Sequence, residues 1–159
     1  MIAVLMAGMI ASAPAPAAVS KELQPLAFLV GPCWRGEFGK GGPVDTHCFE
    51  SVFDGKFIRD RHEVTGGQGI YRGETLYNWN VEQGVTEYTY WNSIGGVSRG
   101  TMTAKSGLLD FGSETHTAAD GSKLSIATQW RPSVPDAYDV VSIRNGVTGE
   151  KVVTYRRIS

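Results

Sequence analysis

Two histidines and two aspartates interleave within one short stretch of the chain: Asp45, His47, Asp60 and His62. An imidazole beside a carboxylate can move a proton, because the carboxylate orients the ring and steadies its charged form. Two neutral imidazoles with a carboxylate are also donor types that zinc or iron accepts. The same four side chains can equally do no chemistry and satisfy one another's hydrogen bonds inside a core. No third histidine is expected beside them, since His116 falls in a distant strand behind Glu114. Cys33 and Cys48 are the only cysteines, and in an exported chain such a pair reads as a disulfide rather than a metal clip. Gly96-Val-Ser98-Arg-Gly100 fits the Gly-x-Ser-x-Gly nucleophile pattern, which needs a strand, a sharp turn and then a helix. The residues that follow, Thr101-Met-Thr-Ala-Lys105, read as more strand, so a hydrolase is not expected. Gly66-Gly-Gln-Gly-Ile-Tyr-Arg-Gly73 matches no phosphate-binding spacing and reads as a hairpin loop.

Whether these side chains meet depends on strand register. Asp54-Gly55 is a strong two-residue turn signal. It pairs Phe53 with Lys56, and so sets Glu50 opposite Arg59, Phe49 opposite Asp60 and His47 opposite His62. Across the preceding Gly39-Lys-Gly-Gly-Pro43 loop, one register sets Cys33 opposite Cys48 and Trp34 opposite His47, which makes a cross-strand disulfide possible. Alternation then sorts the faces. Trp34, Gly36 and Phe38 share a face with Asp45, His47, Phe49, Ser51 and Phe53, and with Ile58, Asp60, His62 and Val64. The other face holds Arg35, Glu37, Glu50, Arg59, Arg61 and Glu63. The aromatic face should point inward, leaving Glu50 and Arg59 as a surface pair worth at most about 1 kcal/mol.

The rest of the chain supplies the walls. Ser20 is placed to cap a short helix with Leu23, Leu26, Ala27 and Val30 at helical spacing, stopped by Gly31-Pro32. About ten strands follow at the roughly 8–12-residue spacing of sandwiches and barrels, most joined by short hairpins. That favours an all-β, up-and-down antiparallel barrel with the short N-terminal helix plugging one end. Tyr71, Thr75, Tyr77 and Trp79 share one face, and the Glu82-Gln83-Gly84 turn brings Tyr88 and Tyr90 alongside. Such rings either pack as a core or line a pocket for a flat or apolar molecule.

Composition narrows the classes. The chain has 159 residues, 20 of them glycine, with 15 basic and 16 acidic side chains and a formal charge of -1. No run of like charge marks a nucleic-acid or anionic-membrane surface. Residues 1–17 are an uncharged apolar run ending in small residues, and read as a signal peptide cleaved between Ala17 and Ala18. The apolar stretch falls short of the ~20 residues that span a bilayer. Residues 18–159 would then form one domain without a membrane span, in the periplasm or secreted, where a disulfide persists.

The segment Leu23-Gln-Pro-Leu-Ala-Phe-Leu-Val-Gly-Pro-Cys-Trp-Arg-Gly-Glu-Phe38 resembles the opening of the calycin superfamily, above all its nitrobindin-like and lipocalin-like bacterial barrels. Asp54-Gly-Lys-Phe57 and the block from Tyr77-Asn-Trp79 to Trp91-Asn-Ser93 are similar to the strands that follow there. The resemblance implies a barrel with an internal cavity for a small molecule. Nitrobindins hold haem through a histidine near the C-terminus, and no histidine follows His116 here, so haem by that ligand is not expected. No cofactor or metal is expected either.

The leading expectation is an exported, non-catalytic barrel that takes a small apolar or aromatic molecule. Its ligand contacts would be Trp34, His47, Phe49, Asp60, His62, Tyr77, Trp79, Tyr88 and Tyr90, with Trp34 as the floor. The alternatives are an enzyme using His47 or His62 with Asp45 or Asp60 for proton transfer or metal binding, and a structural or partner-binding envelope protein.

Overall fold

A computed structural model describes residues 18–144 and 147–158. The leader expected over residues 1–17 lies outside the described residues. Ten strands follow one another around a closed antiparallel barrel: β1 (Cys33–Glu37), β2 (Val44–Val52), β3 (Phe57–Thr65), β4 (Tyr71–Asn80), β5 (Val85–Asn92), β6 (Val97–Lys105), β7 (Leu108–Thr117), β8 (Lys123–Val134), β9 (Ala137–Arg144) and β10 (Val147–Ile158). Each strand pairs with its neighbours in sequence, and β1 closes the ring on β10. Closure leaves no free sheet edge.

The Asp54-Gly55 turn sets the register that matters. Phe53, Asp54 and Gly55 all have positive φ, 51°, 55° and 82°, the Lys56 N–H donates to the Phe53 carbonyl at 3.1 Å, and pairing ends at Val52 and Phe57, so the turn takes four residues and still keeps the expected register. His47 accordingly faces His62, Phe49 faces Asp60 and Glu50 faces Arg59. On the other side of β2, Cys33 faces Cys48 and Trp34 faces His47. The two cysteines are joined in a disulfide on the outer face. Arg59 and Arg61 both reach Glu50 there, as exposed pairs.

The helix before the barrel is a 3₁₀ helix, Lys21–Leu29. Its buried residues Leu23, Leu26 and Leu29 recur every third position, which is the period that lines up on one face of a 3₁₀ helix. Val30 lies outside it and bridges to Phe49 instead. Ser20 makes no side-chain cap. Its carbonyl accepts from Leu23, and its N–H donates to Gly55 at the β2–β3 turn, which ties the helix to the barrel rim. Trp34 donates its indole N–H to the Leu29 carbonyl at 2.9 Å in a buried bond. No helix among the described residues is long and apolar enough to cross a membrane.

The interior divides in two. At the helix end it is packed solid by the three leucines with Trp34, Phe49, Ile58, Tyr77, Met102, Phe111, Trp130 and Tyr138. Each fully buried leucine contributes roughly 2 kcal/mol of apolar burial. Toward the opposite end the described residues line a partly open cavity, and the polar side chains gather there.

Candidate functional site

Alternation on β2 points Asp45, His47 and Phe49 inward, and β3 does the same for Asp60 and His62. Because each aspartate lies two residues before a histidine, register places the carboxylates diagonally across the ring pair. Asp60 takes His47 Nδ1 on both oxygens, at 2.8 and 3.0 Å. Asp45 takes His47 Nε2 on Oδ2 and His62 Nδ1 on Oδ1, each at 2.9 Å. The two imidazoles stack with centroids 4.6 Å apart and planes 13° from parallel. Tyr155 on β10 donates its hydroxyl to Asp45 Oδ2 at 2.8 Å. It reaches Asp45 over Gly36 of β1, where a Cβ would lie 2.9 Å from the tyrosine ring.

Burial alone would push His47 down. The charge of Asp60, and then hydrogen bonds to Asp45 and Asp60, outweigh that and raise it from 6.5 to about 10. Both ring nitrogens therefore carry protons, and His47 is an imidazolium held between carboxylates. Burial would likewise raise Asp45, but hydrogen bonds and charge from His47 and His62 hold it well below the usual carboxylate range. Burial raises the Tyr90 and Tyr155 hydroxyls, so both phenols stay neutral.

The network continues toward the open end. His62 Nε2 meets the Tyr90 hydroxyl at 3.2 Å, and Tyr90 meets the Tyr71 hydroxyl at 2.5 Å. The meeting point lies against Gly73, where a Cβ would sit 2.2 Å from His62 Nε2 and 2.5 Å from the Tyr90 ring. These groups form one wall of a partly open cavity of about 500 Å³ at the end away from the helix. Asp45, His62, Tyr71, Tyr90, Ser98, Glu114 and His116 provide its polar lining, and Phe38, Val64, Leu124 and Ile126 its apolar lining. A volume of this order matches ordinary small-molecule sites.

His116 corrects the expectation that no third histidine lies near. Its Nδ1 meets Ser98 Oγ at 2.9 Å, and its ring lies 6.4 Å from that of Tyr90. The cause is a β-bulge in β7. At its start β7 pairs Lys105 with Leu108 and Thr103 with Asp110, a register that would put Thr115 opposite Ser98. Gly112 then adopts φ 58°, its N–H bonded to Asp110 Oδ1, and the pairing shifts by one residue. Beyond the shift Ser98 faces His116, and Glu114 and His116 turn inward. Ser98 lies on β6, which continues as strand rather than turning into a helix. Ser98 is only 1 % exposed, so the Gly-x-Ser-x-Gly segment is not a nucleophile elbow.

Of the nine side chains expected at the ligand, His62 and Tyr90 line the cavity, and His47 and Asp60 stand behind them. Trp34, Phe49, Tyr77 and Tyr88 are buried in the packed half. Tyr88 donates its hydroxyl to Glu114, which links core to cavity. Trp79 lies at the helix end, 37 % exposed, in a groove with Pro25 and Glu22. Asp45, Tyr71, Ser98, Glu114, His116, Phe38, Val64, Leu124 and Ile126 also line the cavity and were not among the nine expected at the ligand.

Asp45, His47 and His62 present ligand-type atoms within 4.8 Å of one another. A ring-nitrogen lone pair lies in the plane of its ring, and the two ring planes are nearly parallel. A single ion could therefore not lie on both lone pairs unless one ring turned. As they stand, the two Asp45 oxygens take one ring each, which is a hydrogen-bonding arrangement. A closed ten-strand antiparallel barrel is consistent with a calycin-like fold. No protein-family model matches the chain, and no curated protein matches it.

Proposed function

We propose that this barrel binds a small, flat, apolar or aromatic molecule in the cavity at its open end, and does so without chemistry. The observation that carries the reading is the division of the interior: one half is packed, while the other keeps about 500 Å³ between an apolar wall and a polar wall fixed by hydrogen bonds. A fully paired histidine–aspartate cluster is also what a satisfied core holds, so it is the open volume beside the cluster that supports a ligand. The Cys33–Cys48 disulfide supports a setting in the periplasm or outside the cell. Native mass spectrometry of protein purified from its own cell envelope tests the reading. A copurified small molecule, lost when Leu124→Trp fills the cavity, is the expected result. A clean apo mass, together with no thermal stabilisation by any member of an aromatic library, would overturn it.

A second reading has one observation in its favour. Asp45, His62 and Tyr90 stand in the order carboxylate, imidazole, hydroxyl, which is how a general base is oriented. His47 cannot serve as that base, because both of its nitrogens already donate to carboxylates.

A further inference from the structure

A second concavity lies at the other end of the barrel, where the 3₁₀ helix meets β4, β5 and β6. Register sets Trp79 opposite Thr86 and Thr86 opposite Met102, so the three stand side by side across those strands. Thr86 and Met102 are buried. The core at this end is already filled, and Trp79, one residue from the end of β4, keeps 37 % of its surface open. On the helix, Leu23, Leu26 and Leu29 take the buried side, while Glu22 and Pro25, three residues apart, share another. Those two form one wall of a groove of about 270 Å³ whose strand side holds Trp79, Thr86 and Met102.

What the groove attracts follows from its charges. The face of an indole is the negative side of its quadrupole, and Trp draws cations better than Tyr or Phe. Glu22 adds a carboxylate, and among the described residues no Lys or Arg lines the groove to neutralise it. An anion would meet two negative surfaces. A primary ammonium carries three N–H donors that need acceptors, and apart from Glu22 the side chains here offer only the hydroxyls of Thr86 and Thr103. A cation without N–H groups leaves nothing unpaired. The volume lies below that of drug-sized sites and suits a small head group.

We propose that this groove binds a quaternary ammonium group, held between the Trp79 face and the Glu22 carboxylate with its methyl groups against Pro25. The site is separate from the cavity at the open end, and neither depends on the other.

The test compares choline with its neutral carbon isostere, 3,3-dimethylbutan-1-ol, on the intact protein at pH 7.5 and constant ionic strength. The two differ in charge and hardly in shape. The readout is the indole N–H signal of Trp79 among the four tryptophans, identified by its loss in Trp79→Phe. Choline is expected to move that signal and to bind at least about tenfold more tightly than the alcohol, the discrimination one cation beside a ring and a carboxylate provides. Glu22→Gln, at an exposed position, should weaken choline about fivefold and leave the alcohol unchanged. Cosedimentation with phosphatidylcholine vesicles that free choline blocks would assign the group to a lipid head, and choline binding without it would assign a free solute; either supports the site. Equal binding of choline and the alcohol, or a Trp79 signal unmoved by about 100 mM choline, would overturn the proposal.

Discussion

His47 and His62 stack face to face at 4.6 Å, and a single carboxylate, Asp45, binds one ring with each of its oxygens. Asp60 holds the His47 ring as well, and its charge raises that ring. The pH dependence of the fold follows. A raised His47 contributes stability that is complete below its ordinary 6.5 and is lost as pH climbs toward about 10. Asp45 is lowered, so its contribution is complete above its ordinary 3.8 and is lost as the solution becomes more acidic. Stability should therefore plateau between those two values. Urea midpoints measured from pH 6 to 9.5 should fall in the wild-type protein and fall less in His47→Gln. Parallel slopes would contradict an imidazolium at that position.

Removing the partner should cost more than removing the charge. Asp60→Asn leaves the His47 cation with one carboxylate, and breaking a buried pair in this way typically costs about 3–5 kcal/mol. Denaturation at pH 6 checks it. A loss below about 1 kcal/mol would mean that water reaches the pair.

Gly73 tests how closely the polar wall is fitted. An alanine there would place its Cβ inside contact distance of His62 Nε2 and the Tyr90 ring. Gly73→Ala should destabilise by about 1–3 kcal/mol, as overpacking does, and abolish aromatic binding together with it. Gly67→Ala, on the neighbouring loop where a Cβ meets only Pro43 at 3.9 Å, is the control and should do neither. Equal effects of the two would show that the slot beside Gly73 is not needed.

The disulfide closes a segment 15 residues long and ties β1 to β2, which carries half of the histidine pair. Loop closure of that length is worth about 3 kcal/mol. Cys33→Ser/Cys48→Ser should lower the thermal midpoint accordingly, and reductant should lower it only in the wild-type protein.

Much of this was legible before any coordinates. The Asp54-Gly55 turn fixed one register, and parity along β2 and β3 then brought His47, Asp60 and His62 together, because in a strand one correct pair determines all the others. Register is not legible where pairing is interrupted. His116 was expected away from the other histidines because it falls in a distant strand, but Gly112 inserts a residue in β7 and turns Glu114 and His116 inward. An isolated glycine inside a strand is the available signal for that event. Trp79 went astray for another reason. It has the inward parity of Tyr77, but parity says nothing about height along the barrel, and the helix end was already filled. Gly36 and Gly73 carry no side chain to attract attention. Their role is the room they leave for Tyr155, His62 and Tyr90, visible only once neighbouring strands are in place.

The extra residue in β7 also has an evolutionary reading. One codon gained or lost near Gly112 would swap which side chains of the following half-strand face the cavity and which face water, with no change to the ring of ten strands. Recognition in such a scaffold can change by a shift in length, with no substitution at all.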